Sequence, residues 1–203
     1  DKWIDYFNLY KTIPEFSEQN FNMSLNEFKV IFWWEWGHRQ LGRLIGLTVL
    51  LPLIFFSIKN GLWILKKYGL IFLLVCFQGF IGWYMVSSGL IERVDVSHYR
   101  LSLHLVTAFI ILSVIFWKFL KLTKIQTIDI SININLVKFF LFLLFLQLII
   151  GAFVSGMDAG RVYNTWPMMG SSYFPDDSQF IEFLNLNVFD NPSIVQFIHR
   201  NLA

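Results

Sequence analysis

Trp33-Trp34-Glu35-Trp36-Gly37-His38-Arg39-Gln40-Leu41-Gly42-Arg43 carries a carboxylate, an imidazole and two guanidinium groups into a long apolar run that ends near Lys59. Charged groups at the mouth of a membrane-length helix are expensive to bury. They must face a protein interior, a bound group or water, and by default they mark a functional site. On a helix, Glu35, His38, Gly42 and Gly46 fall at i, i+3, i+7 and i+11, one stripe, with Arg39 and Arg43 on a second stripe beside it. The glycines leave room for something broad and flat against the backbone. Two readings of His38 stand on this stretch alone. It is either an axial ligand of a haem whose propionates pair with the arginines, or an interfacial residue bonded to a neighbouring carbonyl.

Of the 203 residues, 56% are hydrophobic and 15% are charged, too apolar for an ordinary soluble domain, and several runs reach membrane length. The chain reads as an all-α, polytopic transmembrane helical bundle. A formal charge of +2, with no Lys/Arg cluster interleaved with aromatics, argues against a nucleic-acid partner. The single cysteine, Cys76, lies inside an apolar run and reads as a small core residue, which leaves no disulfide framework and no cysteine-based metal site. The chain starts at Asp1 and stops at Ala203, soon after a new apolar helix begins, whereas a span needs roughly 20 residues. It is therefore expected to be a piece of a longer protein.

Residues 1–30 are mixed polar and aromatic and read as an extramembrane segment near the interface. Ser24-x-x-Glu27 is a capping box that starts a helix leading into a first span over 31–58, with Pro52 a potential kink and the Trp33, Trp34 and Trp36 cluster an interfacial belt. A connection holding Lys59, Lys66 and Lys67 leads to a second span over about 69–90, then a polar turn at Glu92, Arg93 and Asp95. Ser97 is placed to cap a third span over about 99–120, which carries Arg100 and His104 one i,i+4 step apart. A lysine-rich connection precedes a fourth span over about 136–157. The loop 158–193 holds Asp158, Arg161, Asn164, Trp166-Pro167 and the acidic pair Asp176-Asp177, and a fifth helix begins at about Ile194. The organisation expected is an interfacial segment 1–30, most of a first haem-binding half over 31–135, and the start of a second half over 136–203.

The connections after the first and third spans hold Lys59, Lys66, Lys67, Lys118, Lys121, Lys124 and Lys138 against one acid, Asp129, so they face the cytoplasm or matrix. The other loops face outward. His38, His104 and His199 then each lie about six residues into a span entered from the outer side, which at ~1.5 Å per residue puts all three at similar depth. Matched depth in alternate spans favours haem ligation over independent interfacial roles.

A weak internal repeat supports two related halves. Gln78-x-x-Ile81-Gly82 recurs as Gln147-x-x-Ile150-Gly151, and Glu35-x-x-His38-Arg39 recurs as Gln196-x-x-His199-Arg200. His199 is thus the counterpart of His38, and a counterpart of His104 is expected beyond Ala203.

The run from Asn22 to Arg39, with Trp33-Trp34-Glu35-Trp36-x-His38-Arg39 at its centre, resembles the signature of haem A synthases, in the branch found in alphaproteobacteria and mitochondria. Further blocks resemble family motifs: Arg93-Val94-x-Val96-Ser97-His98-Tyr99-Arg100-Leu101-x-Leu103-His104, Gly151-Ala152-Phe153-Val154 through Tyr163-Asn164-Thr165-Trp166-Pro167-Met168-Met169, and Val195-Gln196-Phe197-x-His199-Arg200. The resemblance implies an eight-helix protein of two four-helix halves that oxidises a methyl group of haem O to the formyl group of haem A for terminal oxidase assembly. It implies that His38 and His104 hold the substrate haem, that the family carboxylate maps onto Glu35, and that His199 ligates a haem b cofactor whose other ligand lies outside this chain. Haem O synthase and an electron donor would be partners, in a bacterial cytoplasmic or mitochondrial inner membrane. Another branch of the family has an outer-loop cysteine pair, which this sequence lacks.

The chemistry asks for imidazoles on iron, basic groups for propionates, here Arg39, Arg43, Arg100 and Arg200, and a group that manages protons while a C–H bond is oxidised, here Glu35. An ion pair with Arg39 or Arg43 is the structural alternative for Glu35. His98 lies on a different face from His104, which suits an outer-loop or substrate-access role better than ligation. Asp158, Arg161, Asn164 and Trp166 are equally well read as a lid over the second haem or as a structured interfacial loop. The rival reading from another class is a non-enzymatic bis-histidine membrane cytochrome that only carries electrons. A transporter with polar residues along its path is a third.

Overall fold

The computed structural model describes residues 1–87, 94–123 and 132–203. The expected turn at Glu92 and Arg93 lies outside the described residues, as do Lys124 and Asp129. The described helices are α1 (Lys2–Tyr10), α2 (Pro14–Glu18), α3 (Leu25–Asn60), α4 (Trp63–Ser87), α5 (His98–Thr123), α6 (Ile134–Gly156) and α7 (Pro192–Leu202). Among the described residues, α3 to α6 are the four helices long and apolar enough to cross a membrane. Only 6% to 17% of their most apolar stretches is buried inside the protein. Leu51, Ile58, Leu73 and Phe116 are exposed, an arrangement that water would oppose and hydrocarbon accepts. The chain is an integral membrane protein.

By contacts, the chain divides into two compact units, Asp1–Asp95 with Ile110–Phe119, and Val96–Phe109 with Leu120–Ala203. In the first unit, α1 and α2 supply structure where the sequence showed only a mixed polar and aromatic segment. Aromatic rings hold α1 on the first turns of α3: Trp3 meets Phe32 edge-on at 5.1 Å, and Phe7 and Tyr10 both reach Phe28, at 5.2 and 5.0 Å. The Tyr10 hydroxyl donates to Glu15 and accepts from Asn20, both at 2.9 Å. Burial first, then the bond to Glu15, push that hydroxyl up to about 12.

Ser24 caps α3 as the spacing predicts. Its hydroxyl accepts from the Glu27 backbone N–H at 3.3 Å, and the Glu27 carboxylate accepts from the Ser24 N–H at 2.7 Å. The helix then runs unbroken through Pro52 to Asn60. Gly61, at φ +98°, ends it, and the Trp63 indole donates to the Asn60 carbonyl at 2.8 Å. The short link makes α3 and α4 a helical hairpin. α4 starts at Trp63, about two turns before the expected 69. Lys66 and Lys67 belong to its first turns, with the Lys67 ammonium over the rings of Trp63 and Tyr68 at 5.5 and 5.3 Å.

In the second unit, Ile150 and Phe153 of α6 pack with Val195 of α7, flanked by Met157, Phe189 and Ile198. The first turns of α5 join them: His98 and Tyr99 each lie 5.2 Å from the Phe153 ring, and the Ser102 hydroxyl reaches the Ile149 carbonyl at 3.4 Å. Gly156 permits this approach, since a Cβ there would stand 3.0 Å from the backbone of His98. Ser97 precedes α5, and its carbonyl accepts from the Arg100 and Leu101 N–H groups.

The loop 157–191 is held by hydrogen bonds within itself and to α7. Asp176 accepts from the Ser171 N–H at 2.5 Å and from the hydroxyls of Ser171 and Ser172. Asp177 accepts from the Ser193 hydroxyl at 2.7 Å, at the head of α7. Asn191 caps that helix, accepting from the N–H groups of Ser193 and Ile194, and donates to Glu182 at 2.9 Å. Both aspartates titrate below the ordinary carboxylate range. For Asp176 the Ser171 N–H is the main cause. For Asp177 desolvation raises the value, but bonds from Ser193, Tyr163 and Ser178 outweigh it. Because the folded values are depressed, the stability these groups add is fully present above the unfolded value near 3.8 and is lost as pH falls through the folded values. Hydrogen exchange at the Ser171 amide, which donates to Asp176, should therefore be flat from neutral pH to the onset of carboxylate protonation, after correction for intrinsic rates, and accelerate below it. Asp176→Asn should blunt that change, while Asp177→Asn should leave it in place.

Candidate functional site

α3 presents the opening stretch on its exposed side. Glu35 and Arg39, one turn apart, form an ion pair in which both side chains are about half exposed, at 55% and 56%. Arg43 donates to the Gln40 side chain at 3.1 Å. His38 lies between these groups and is exposed. A Cβ added at Gly37, Gly42 or Gly46 would meet nothing within 4 Å. The glycines therefore hold no neighbouring helix close within this chain and leave an open strip beside His38. Trp33 and Trp36 stack edge-on at 5.3 Å, and Trp3 from α1 reaches Trp33 at 5.9 Å, giving the strip an aromatic collar.

The matched depth of the histidines depends on where each apolar run begins rather than on where each helix begins. His38 is more than three turns into α3, whereas His104 and His199 are about two turns into α5 and α7. The capping box starts α3 well before its apolar run. His38 belongs to the first unit, and His104 and Arg100, both half-buried, to the second.

His199 is the most closely defined imidazole. Its ring lies against α6, where Gln147 brings its amide nitrogen 3.3 Å from Nε2 and donates to the His199 carbonyl at 3.2 Å. Gly151, one turn further on, leaves the ring its place: a Cβ there would stand 3.0 Å from Cε1. Nδ1 of His199 and Oε1 of Gln147 are buried without a hydrogen-bond partner. An imidazole seated against a glycine of α6 is a group of the type that could hold a haem iron. Among the described residues no three His, Cys, Asp or Glu side chains converge on a point, so each imidazole stands as a single donor.

Gln196 and Arg200, the repeat counterparts of Glu35 and Arg39, are used quite differently. The buried Gln196 amide donates to the carbonyls of Gly160 and Tyr163, at 3.3 and 2.9 Å, and accepts from the Tyr163 N–H at 3.2 Å. Arg200 donates to the Thr165 carbonyl at 2.8 Å and to that of Tyr163. A carboxylate at 196 could not donate, so the amide is required by the loop that it holds. The segment 160–165 is thus clamped to α7, while Trp166 is 69% exposed and Asp158, at φ 51°, pairs with Arg161 at 3.7 Å. His98 also has a packing role, its Nε2 lying 3.3 Å from Asp190. Gln147 and Tyr163 were in quoted motifs but carried no role there. The repeat that set Gln147 beside Gln78 was the available signal.

Curated relatives match the whole of this chain. A heme A synthase of Pelagibacter ubique is 51% identical over 205 residues, covering 100% of this chain and 61% of the relative. The heme A synthases of Rhodopseudomonas palustris and Bradyrhizobium diazoefficiens are each 44% identical, covering 100% of this chain and 58% of their own length. The chain thus spans about three fifths of the relatives it matches. No solved structure matches it significantly. The cytochrome oxidase assembly protein family, COX15-CtaA, matches across residues 1–203, and the chain belongs to that family.

Proposed function

We propose that the protein to which this chain belongs is a haem A synthase, a membrane oxidoreductase that converts a methyl group of haem O into the formyl group of haem A for terminal oxidase assembly. The observation that carries this reading is 51% identity to a heme A synthase over the full length of the chain. His38 and His104 would hold the substrate haem through its iron, toward the outer side of the membrane, and Arg39, Arg43 and Arg100 would pair with its propionates. His199 serves a haem b in the second half, and this cofactor supplies electron transfer when bound. Arg200 holds the outer loop with two donors, and its remaining N–H groups would be the ones available to the propionates. The halves run over 31–135 and from 136 onward. Haem O synthase supplies the substrate, and a membrane electron carrier completes the redox chemistry.

The ring methyl must lose electrons and protons and gain one oxygen, so a base near the reacting carbon is required. Glu35, one turn from His38, fills that role. In the ground state its carboxylate pairs with the Arg39 guanidinium, and during the reaction it would accept a proton or stabilise positive charge developing on the carbon.

One observation favours the rival reading of an electron-carrying cytochrome: the Glu35–Arg39 pair is a complete structural explanation for both residues. Pigment analysis separates the readings. The full-length gene product, expressed in a host that makes haem O but no haem A, should yield extractable haem A. Haem b alone, with haem O unchanged, would leave an electron carrier. Glu35→Gln in the same system should retain haem and lower the haem A yield by about 100-fold or more, the scale of a lost general base. Wild-type yield at equal haem occupancy would reduce Glu35 to a partner of Arg39.

A further inference from the structure

We infer that the groove at the hairpin end of α3 and α4 holds the isoprenoid tail of the substrate haem. This rests on the reading of His38 as a ligand of haem O, whose ring carries a long apolar farnesyl tail on one edge. Val49, Leu53 and Phe56 of α3, Ile64 and Ile71 of α4 and Ile115 of α5 line a groove of about 410 Å³, all within the first unit. That volume falls in the range of roughly 300–1,000 Å³ usual for small-molecule sites. Leu53 and Ile64 are buried beneath it, whereas Phe56 and Ile115 stand exposed at its edge. The lining holds no charged residue, and the Thr48 hydroxyl is turned back onto the Ile45 carbonyl at 2.8 Å. An apolar chain suits such a surface, and an ion does not.

What points to the haem tail is the line that joins the groove to His38. Val49, Leu53 and Phe56 fall at i+11, i+15 and i+18 from His38, on the same stripe of the helix. Between them the strip carries Leu41, Gly42, Ile45 and Gly46, and a Cβ at either glycine would meet nothing within 4 Å. Arg39 and Arg43 leave from the neighbouring stripe, so no charge interrupts the path. At ~1.5 Å per residue the groove begins roughly 17 Å from His38 at Val49 and reaches roughly 22 Å at Leu53. A farnesyl chain with carbon–carbon bonds of about 1.5 Å extends roughly 15 Å, and the radius of the macrocycle makes up the difference. Phospholipid acyl chains enter any lipid-facing groove, but only a ligand held at His38 is tethered at this distance along this stripe. Because lipid is as apolar as the tail, the groove adds close packing and direction rather than removal from water. A tail fixed there sets the rotation of the ring over His38, and with it which ring methyl lies near Glu35.

The test titrates the full-length gene product in detergent with haem O and with haem B, which has the same iron and propionates but no tail, and reads the Soret band. Wild type should bind haem O about 10-fold more tightly than haem B, at a site that His38→Ala abolishes. Val49→Phe and Ile115→Phe fill the groove from two different helices. Both should remove the preference by weakening haem O alone, with haem B binding unchanged and the variants eluting as folded protein. Val49→Leu, a smaller filling, covers the case in which Phe prevents folding and should lower the preference in the same direction. Equal wild-type affinity for the two haems overturns the inference without any variant, and is the result expected if lipid keeps the groove. An intact preference in a folded, filled variant overturns it too, since the tail then lies elsewhere. Filled variants that lose both haems alike mark the groove as a seat for another helix, and the inference falls. If His38→Ala binds both haems as wild type does, the reading of His38 as a haem ligand itself fails.

Discussion

A polar atom in hydrocarbon must be paired or it costs several kcal/mol, on the order of what a whole small domain has to spare. The architecture follows from that constraint. Backbone groups close on themselves in α3 to α6, and the apolar side chains are left outward for lipid. Polar side chains gather near the helix ends and in the loop 157–191, where several find partners close by. Asp176 turns to the serines beside it, Asp177 to the head of α7, and Asn191 to Glu182 and the first N–H groups of its own helix. The loop is held by these satisfied acceptors together with buried residues of its own, Ala159, Met169 and Pro175.

Against that background the exceptions are informative. Glu35, His38, Arg39 and Arg43 stand exposed along an open glycine strip, a polar face within this chain on an otherwise lipid-like helix. His199 and Gln147 show the converse, two buried polar atoms with nothing to bond. One site offers unburied charge and the other unpaired capacity. Both are features that a bound, iron-containing macrocycle with anionic side groups would use.

The internal repeat preserves positions without preserving their uses. Glu35 and Arg39 neutralise each other, while Gln196 and Arg200 bind three backbone carbonyls of the loop between them. The amide at 196 thus has a structural cause of its own. The contrast between Glu35 and Gln196 does not by itself make one half catalytic, and the case for Glu35 rests on its place beside His38.

The spans, the helix start at Ser24 and the start of α7 were legible in the sequence, because hydrophobic runs, capping boxes and helical spacing act over a few residues. Even there the local signal had limits: lysines suggested a connection at Lys66 and Lys67, but both are helical, and the Lys67 ammonium settles over nearby rings. What the tertiary structure alone decided was which distant groups meet: α1 on α3 through Trp3 and Phe32, His98 on Asp190, Arg200 on the Thr165 carbonyl, and Gln147 on His199. A glutamine in an apolar helix carries no mark of its partner in its neighbours. Its partner is determined when a second helix, 52 residues away in sequence, packs against it and a buried donor must find an acceptor within hydrogen-bonding reach.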